Sequence, residues 1–279
     1  MADQTRPDRL GHMITRPTRT YDAGASAYDR FTGRWSRLFV PSLVSAAGVT
    51  SGHSVLDVAA GTGEASIGLA SHVGATGRVL AVDLSLPMLQ MAAGKLVGLP
   101  VRFALMDGQR LACRSQSFDA VVCQLGLMFF PEPQRGLEEF RRVLRPGRQV
   151  ALQVWSRPDR VPFFGILAGA LSAELPEHRD VLHQPSALGD ADGLHALLTQ
   201  AGFREVSVTA ERRSLGFDSF EDYWAPIEAG GARLGQFYRE LPPDQRQRVR
   251  GEVERRMATL RSGERLVLEV EAFIGRGVK

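Results

Sequence analysis

The sequence predicts an α/β fold, a doubly wound and mostly parallel seven-stranded sheet with helices on both faces. Three observations predict it. From Ser54 to Trp155 short apolar, β-rich runs alternate with helical stretches of about 10–15 residues, the rhythm of strand–helix–strand crossovers. The first run, Ser54–Val58, ends in the small-residue turn Ala59-Ala60-Gly61-Thr62-Gly63 and passes directly into an apolar-periodic helix through Ala65, Ile67, Leu69 and Ala70. Finally, Asp57, Asp83, Asp107 and Gln124–Gly126 all fall at the carboxyl ends of strands, where such sheets gather their ligands in one crevice.

Taken in order, residues 1–20 carry Pro7, Gly11, Pro17 and four arginines and read as a flexible basic tail. Residues 21–49 read as a helical lid of one or two helices. Ala25, Tyr28, Phe31 and Trp35 step by three and four, and Leu38, Phe39, Leu43 and Val44 prolong the stripe. The sheet domain is expected over 50–216 and 263–279. Within it Arg78–Val82 is the second strand, and Ser85 caps a helix over Leu86–Val97 with Pro87 in its first turn. Val101–Leu105 and Phe118–Gln124 follow as strands. Pro133–Leu144 is a helix stopped by Arg145-Pro146-Gly147, and Gln149–Trp155 is the fifth strand. An apolar helix over Val161–Leu175, a Pro- and His-containing loop to Gly189, a helix over Ala191–Ala201 and a sixth strand over Glu205–Arg212 come next. Residues 217–262 read as a helical cap inserted before the last strand, Leu266–Ile274. They hold Tyr223 and Trp224, a Gly230-Gly231 joint, Phe237 and Tyr238. A charged helix there carries the docking stripe Val249, Val253, Met257 and Leu260.

With 279 residues the chain can bury one core with an added cap, or at most two small domains. No apolar run approaches the roughly 20 residues that span a bilayer, and the N-terminus lacks a signal-like apolar core, so a cytoplasmic protein without membrane contact is expected. Cys113 and Cys123 are too few for a disulfide framework and have no zinc spacing; no metal is expected. The formal charge of +3 lies wholly in residues 1–37, where seven arginines face four aspartates. Such a tail reads as a solvated end, which disfavours a nucleic-acid partner.

The Gly61-x-Gly63 pair alone is as much a tight turn as a binding loop. Asp83 decides for binding: it ends the next strand twenty residues on, where a carboxylate can accept both hydroxyls of a ribose. A pyrophosphate would be repelled by Asp57 at the foot of the turn, whereas a ligand carrying an ammonium and a sulfonium suits it.

On these residues the sequence resembles the class I S-adenosylmethionine-dependent methyltransferases. The likeness to their quinone-biosynthesis C-methyltransferases runs over about residues 50–155 and covers the strand–turn–helix units. The resemblance implies a Rossmann-like fold and S-adenosylmethionine as cofactor, with S-adenosylhomocysteine as product. It also implies a cofactor set of Asp57, Ala59, Ala60, Gly61, Thr62, Gly63, Asp83, Leu84, Met88, Asp107, Gly108, Gln124 and Leu125. Asp57–Gly63 would cradle the methionine part and Asp107 would meet the adenine. Ala59 stands where the family usually has its first glycine. The family's N-terminal Ala-x-x-Tyr-Asp helix corresponds to Ala25–Asp29, which makes Tyr28 a candidate lid over the cofactor.

An acceptor pocket is expected between the strand tips and the cap. Met128 and Phe129, with Phe130, follow strand four, Trp155 and Phe163 follow strand five, and Trp224 and Tyr238 come from the insertion. That aromatic set suits a small, apolar or aromatic metabolite, although such residues also serve simply to pack a cap on a sheet. Methyl transfer needs no protein nucleophile, and none is evident. His178 and His183 in the cap region could act as a base but read first as ordinary loop histidines, so no catalytic residue is assigned. The Asn/Asp-Pro-Pro-Tyr/Phe signature of base and glutamine methylation is absent after strand four, which leaves oxygen, carbon and other nitrogen acceptors open. The rival readings are an RNA methyltransferase using the basic tail, a cofactor-binding natural-product cyclase that transfers no methyl group and, more distantly, a dehydrogenase. The oligomeric state is left open.

Overall fold

In the computed structural model, which describes residues 24–262 and 265–279, the chain is organised about β1 (Ser54–Val58). The tail expected over 1–20, the start of the lid segment through Ala23, and Gly263 and Glu264 lie outside the described residues. All five residues of β1 are buried, as a central parallel strand covered on both faces requires. It pairs in parallel with β2 (Arg78–Asp83) on one side and β4 (Phe118–Gln124) on the other. With β3 (Val101–Leu105), β5 (Leu144–Trp155), β6 (Arg204–Phe217) and β8 (Arg265–Val278) the sheet order is β3-β2-β1-β4-β5-β8-β6. Strands β1 to β5 run parallel, and β8 lies antiparallel between β5 and β6. A two-residue β7 (Arg261–Ser262) pairs with β8. The order reverses between β1 and β4, and that switch point opens a crevice at the strand ends.

Period-two alternation sorts the core into two layers. Val55, Val79, Ala120, Val122 and Ala151 face α1 (Ala25–Ala46) and α2 (Glu64–Val73), meeting Leu43, Val44, Leu69 and Val73. The alternate residues, Leu56, Val121, Val150 and Leu152, face α4 (Pro133–Val143) and α7 (Ala191–Gln200) through Leu137, Phe140, Leu194 and Leu198. Helix α3 (Leu86–Lys95) crosses beside α2, and Ser85 caps it as its sequence predicts, its Oγ accepting from the Met88 N–H at 3.3 Å.

Several boundaries differ from the sequence reading. The lid segment is one helix, with Pro41 inside it. Strand β5 begins at Leu144, not Gln149: Arg145-Pro146-Gly147 does stop α4, but the Asp119 carboxylate on β4 draws Arg145 (2.6 Å) and Arg148 (3.4 Å) alongside. Strands β6 and β8 run on past Arg212 and before Leu266 as a ribbon in which Leu266, Leu268 and Val270 point inward. Charges at Arg212 and Arg213 conceal that extension in the sequence. The loop expected before Gly189 contains a short helix, α6 (Arg179–His183), anchored by the fully buried Leu182.

Beyond Trp155, α5 (Pro162–Glu174) carries the cap: α8 (Phe220–Glu228), α9 (Ala232–Glu240) and α10 (Pro243–Met257). Val249, Val253 and Met257 of α10 are buried, and Arg248 pairs with Glu174 of α5 at 2.8 Å. No helix among the described residues is long and apolar enough to cross a membrane.

Candidate active site

At the carboxyl ends of β1, β2 and β4 lies a cleft of about 790 Å³ up to its open mouth. Its floor is the turn after β1, in which Ala59, Gly61 and Gly63 have φ of 55°, 54° and 90°. The two glycines are required for different reasons. A Cβ on Gly63 would meet Leu96 Cδ1 at 2.8 Å and Ala92 Cβ at 3.1 Å, so the bare backbone lets α3 pass close to the start of α2. A Cβ on Gly61 would meet nothing within 4 Å; it would project into open cleft. Ala59 holds the left-handed conformation despite its side chain, at a cost of about 1–2 kcal/mol.

Asp83 links the turn to the next helix. Its Oδ2 accepts from the Gly61 N–H at 2.8 Å and its Oδ1 from the Ser85 N–H at 2.9 Å. These two donors fix a carboxylate in the cleft wall beside Leu84 and Met88. At the far end Gly108 lies under Phe130, whose Cζ would be 2.4 Å from any Cβ there. On the opposite wall the Gln124 Nε2 donates to Ser36 O (2.9 Å) in α1 and to Gln153 Oε1 (2.8 Å), tying the tip of β4 to α1 and β5.

Helix α1 closes the cleft from above with Tyr28. A charged cluster fastens it down. Glu64, the first residue of α2 and only 6% exposed, accepts from Arg37 Nε at 2.6 Å and pairs with Lys95, which also holds Asp29 at 2.7 Å.

A second cavity, about 560 Å³ when the open space at its mouth is included, lies between α1, the strand tips and the cap. Met128, Phe129, Trp155 and Phe163 line it, as the sequence predicts, and the cap adds Ile227, Leu234 and Arg233. Phe163 orders the wall: it stacks on Trp35 (4.9 Å) and meets Phe31 and Trp155 edge-on, while its carbonyl accepts from the Tyr223 hydroxyl at 2.6 Å. Tyr28, Leu125 and Phe129 line both cavities, so the two meet there. Leu125 sits at that junction with φ 55°.

Of the expected cofactor set, Tyr28, Ala59, Gly61, Asp83, Leu84, Met88, Gly108, Gln124 and Leu125 line the cleft. Asp57, Ala60, Thr62, Gly63 and Asp107 do not. Asp57 has the parity of Val55, so its side chain points under α2 instead of into the crevice. There it is wholly buried and accepts from Ser66 Oγ at 2.6 Å, and its Oδ1 has no hydrogen-bond partner among the described residues. Burial, and secondarily the Asp83 charge, push its carboxyl up to about 7. Asp107 turns back to accept from the Gln109 N–H at 2.9 Å.

Trp224 and Tyr238 do not reach the second cavity. Trp224 is fully buried inside the cap, stacked on Phe220 (5.6 Å) with Tyr238 edge-on at 5.0 Å. Phe130 belongs to the first cleft. His178 and His183 line neither cavity; the His183 Nε2 lies 3.3 Å from Ser172 Oγ, and burial lowers its basicity. Ser85, Met106 and Gly126 also line the cleft. Gly126 was legible only as part of a strand tip, yet its Cβ would sit 2.4 Å from that of Ala59. Arg233 had no signal at all, since it stands among charged residues of an ordinary-looking helix.

A doubly wound sheet with a glycine turn at its switch point and an acid closing the second strand defines the nucleoside-cofactor class of α/β proteins. Comparison gives the particular family. The methyltransferase domain family matches residues 55–147. A demethylmenaquinone methyltransferase of Renibacterium salmoninarum is 35% identical over 172 residues, 61% of this chain and 69% of that one. An uncharacterised protein of Mycobacterium tuberculosis is 32% identical over 213 residues, 70% of this chain and 72% of its own. Among solved structures, phosphoethanolamine N-methyltransferase 2 of Haemonchus contortus, in complex with S-adenosyl-L-methionine, shares the fold. Its TM-score is 0.59 at 17% identity, over 96% of this chain and 59% of that one. The chain belongs to the class I S-adenosylmethionine-dependent methyltransferases.

Proposed function

We propose that the cleft at the strand tips binds S-adenosylmethionine and that the apolar cavity under the cap holds a small apolar or aromatic acceptor. The methyl group would cross where Tyr28, Leu125 and Phe129 line both. That shared border is the observation that carries the reading. The residues present fit the cofactor: the open space over Gly61 leaves room for its backbone-hugging part, and the Asp83 carboxylate faces the cleft where a ribose would lie. A neutral sugar edge can be held by such a carboxylate.

Bound there, S-adenosylmethionine would supply an electrophilic methyl group, its sulfonium leaving as a neutral thioether as the acceptor's electron pair takes the methyl. The protein's part is orientation and dryness. Charge disperses in such a step, so a largely apolar second cavity would lower the barrier without a protein nucleophile. Trp155 and Phe163 offer faces for a flat body, and Leu125 and Phe129 limit its approach to one line. A base is needed only for an acceptor that must lose a proton, and among the described residues no histidine lines either cavity.

The demethylmenaquinone methyltransferases among the relatives make an aromatic ring the natural first class to try. At 35% identity the ring's own identity is not carried across. The test is transfer of a labelled methyl group from S-adenosylmethionine to a panel of phenols, hydroquinones, naphthoquinols and amines, with bulk RNA in parallel. Product in the small-molecule panel supports the reading. Transfer to RNA alone, suppressed steeply by salt, would replace it with the nucleic-acid reading.

A further inference from the structure

Four residues bring side-chain nitrogen or oxygen to the otherwise apolar second cavity: Tyr28, Thr32, Trp155 and Arg233. Tyr28 and Arg233 have partners of their own. Thr32 and Trp155 are 7% and 3% exposed, yet among the described residues neither the Thr32 hydroxyl nor the Trp155 indole N–H makes a hydrogen bond. Nor are these two atoms sealed in protein, as the unpartnered indole nitrogens of Trp35 and Trp224 are. The cavity is the space on which they open. Polar groups taken from bulk water without a partner cost free energy, so such a pair marks a place where a ligand is expected.

A hydroxyl buried within a helix commonly donates to the carbonyl four residues back. Ser36, Ser172 and Thr199 do so here, at 3.0, 2.7 and 2.9 Å. Thr32 does not, and its neighbours fix where it points. Phe31 meets Phe163 edge-on at 5.5 Å, and Trp35 stacks on the same ring at 4.9 Å. Tyr28, Thr32 and Ser36 follow one another at intervals of four along one face of α1. Tyr28 lines both cavities and Ser36 O accepts from Gln124 at the tip of β4, so Thr32 lies between the border of the two cavities and that tip. Trp155, the last residue of β5, comes from the sheet, held edge-on against Phe39 (5.9 Å) and Phe163 (5.3 Å). Two separate elements thus bring a hydrogen-bond donor to the wall around Phe163.

We propose that this cavity selects acceptors that carry carbonyl or hydroxyl oxygens on an otherwise apolar ring, and that Thr32 Oγ1 and Trp155 Nε1 are the specificity-determining groups that bind those oxygens. The inference rests on the two-cavity reading of the preceding section and adds to it the polar pattern of the substrate. An indole N–H can only donate, so it asks the ligand for an acceptor atom; a threonine hydroxyl can donate to a carbonyl or accept from a phenol. A bare hydrocarbon would leave both groups unpaired, the situation in which a polar site discriminates most strongly. The apolar body would lie against Met128 and Phe163, with the reacting atom towards Tyr28, Leu125 and Phe129.

The probes are 2-naphthol and naphthalene, titrated calorimetrically into the full-length protein with and without saturating S-adenosylhomocysteine. Naphthol should bind the wild-type protein at least about threefold more tightly than naphthalene. Thr32→Val, which keeps the shape and removes the hydroxyl, should weaken naphthol several-fold and leave naphthalene unchanged; Thr32→Ser should retain the preference. Trp155→Phe should weaken naphthol more than naphthalene. Because the hydroxyl has no partner in the fold, Thr32→Val should melt at the wild-type temperature or above it. Equal affinity of the two probes for the wild-type protein would overturn the inference while leaving the cavity itself in place. So would a Thr32→Val protein that weakens both probes alike, or one that melts earlier, because the hydroxyl would then serve packing. Binding of neither probe would overturn the inference together with the acceptor half of the two-cavity reading. Uptake of S-adenosylhomocysteine is read separately: its failure in wild-type protein counts against the cofactor cleft, while an intact naphthol preference would still support the oxygen site.

Discussion

Two glycine joints stand beside the two cavities, and they are made differently. The Gly61–Gly63 turn is local chemistry: positive φ at three of five residues, a strand before it, a helix after it, and an acid twenty residues on that bonds back to it. The Gly230-Gly231 corner is long-range packing. A Cβ on Gly231 would strike Pro226 O at 2.6 Å and Ala27 O at 3.0 Å, and one on Gly24 would strike Gly230 O at 2.6 Å. The cap therefore seats on the start of α1, next to Tyr28. The first joint can be recognised in a string of letters because its parts are adjacent. The second cannot, because its partners are some two hundred residues apart.

Breaking the first joint should show the largest effect. Gly63→Ala puts a methyl against Leu96 and Ala92 at a φ that disfavours it, and should lower stability by about 2–4 kcal/mol in a denaturant titration. Gly61→Ala has the same backbone strain but no clash, so it should cost only about 1–2 kcal/mol. If the two variants lose the same stability, the distinction drawn between the glycines is wrong.

Asp57 comes next. Its carboxyl ordinarily titrates at 3.8 but is pushed up to about 7 by burial, so between those values the folded chain holds a proton that the unfolded chain has released. Stability from this residue is therefore full below about pH 4 and is lost as the pH rises to about 7. Asp57→Asn should be more stable than wild type above neutrality, by on the order of a few kcal/mol, with the gap closing towards about pH 4. Thermal unfolding of both proteins across that range is the check; parallel curves would mean the carboxyl is not buried as described.

Asp83→Ala should cost at least about tenfold in affinity for S-adenosylhomocysteine, because two ribose hydroxyls lose their acceptor. The smallest effect is Ala59→Gly. It relieves a left-handed alanine and should be neutral or stabilising by up to about 1 kcal/mol, whereas the same exchange in ordinary backbone destabilises. A clear loss of melting temperature would show that the Ala59 methyl, pressed on Gly126, contributes more than the strain it imposes.

The same contrast explains what could be read in advance. Strands β3 and β4 agree residue for residue with the sequence reading, since alternation and breakers define them locally. The sheet order and switch point follow from chain handedness once those units are placed. The length of the β6–β8 ribbon does not, because its exposed face is charged and only the pairing partner reveals it. At the site, Asp83 and Gly61 are where the motif puts them, while Asp57 turns inward by strand parity, a one-residue matter the motif does not specify. Trp224 and Tyr238 were legible as aromatic but not as the cap's own core. Arg233 is the reverse case, a charged letter that only the packing of α8, α9 and α1 makes a buried one.

The central claim is that the strand-tip cleft is an adenosyl-ligand site distinct from the cap cavity. Calorimetric titration of the full chain with S-adenosylmethionine, S-adenosylhomocysteine and NAD tests it most directly. The account predicts micromolar, one-to-one binding of both adenosyl ligands and none of NAD. Binding of NAD, or a folded protein that takes up neither adenosyl ligand, would contradict it.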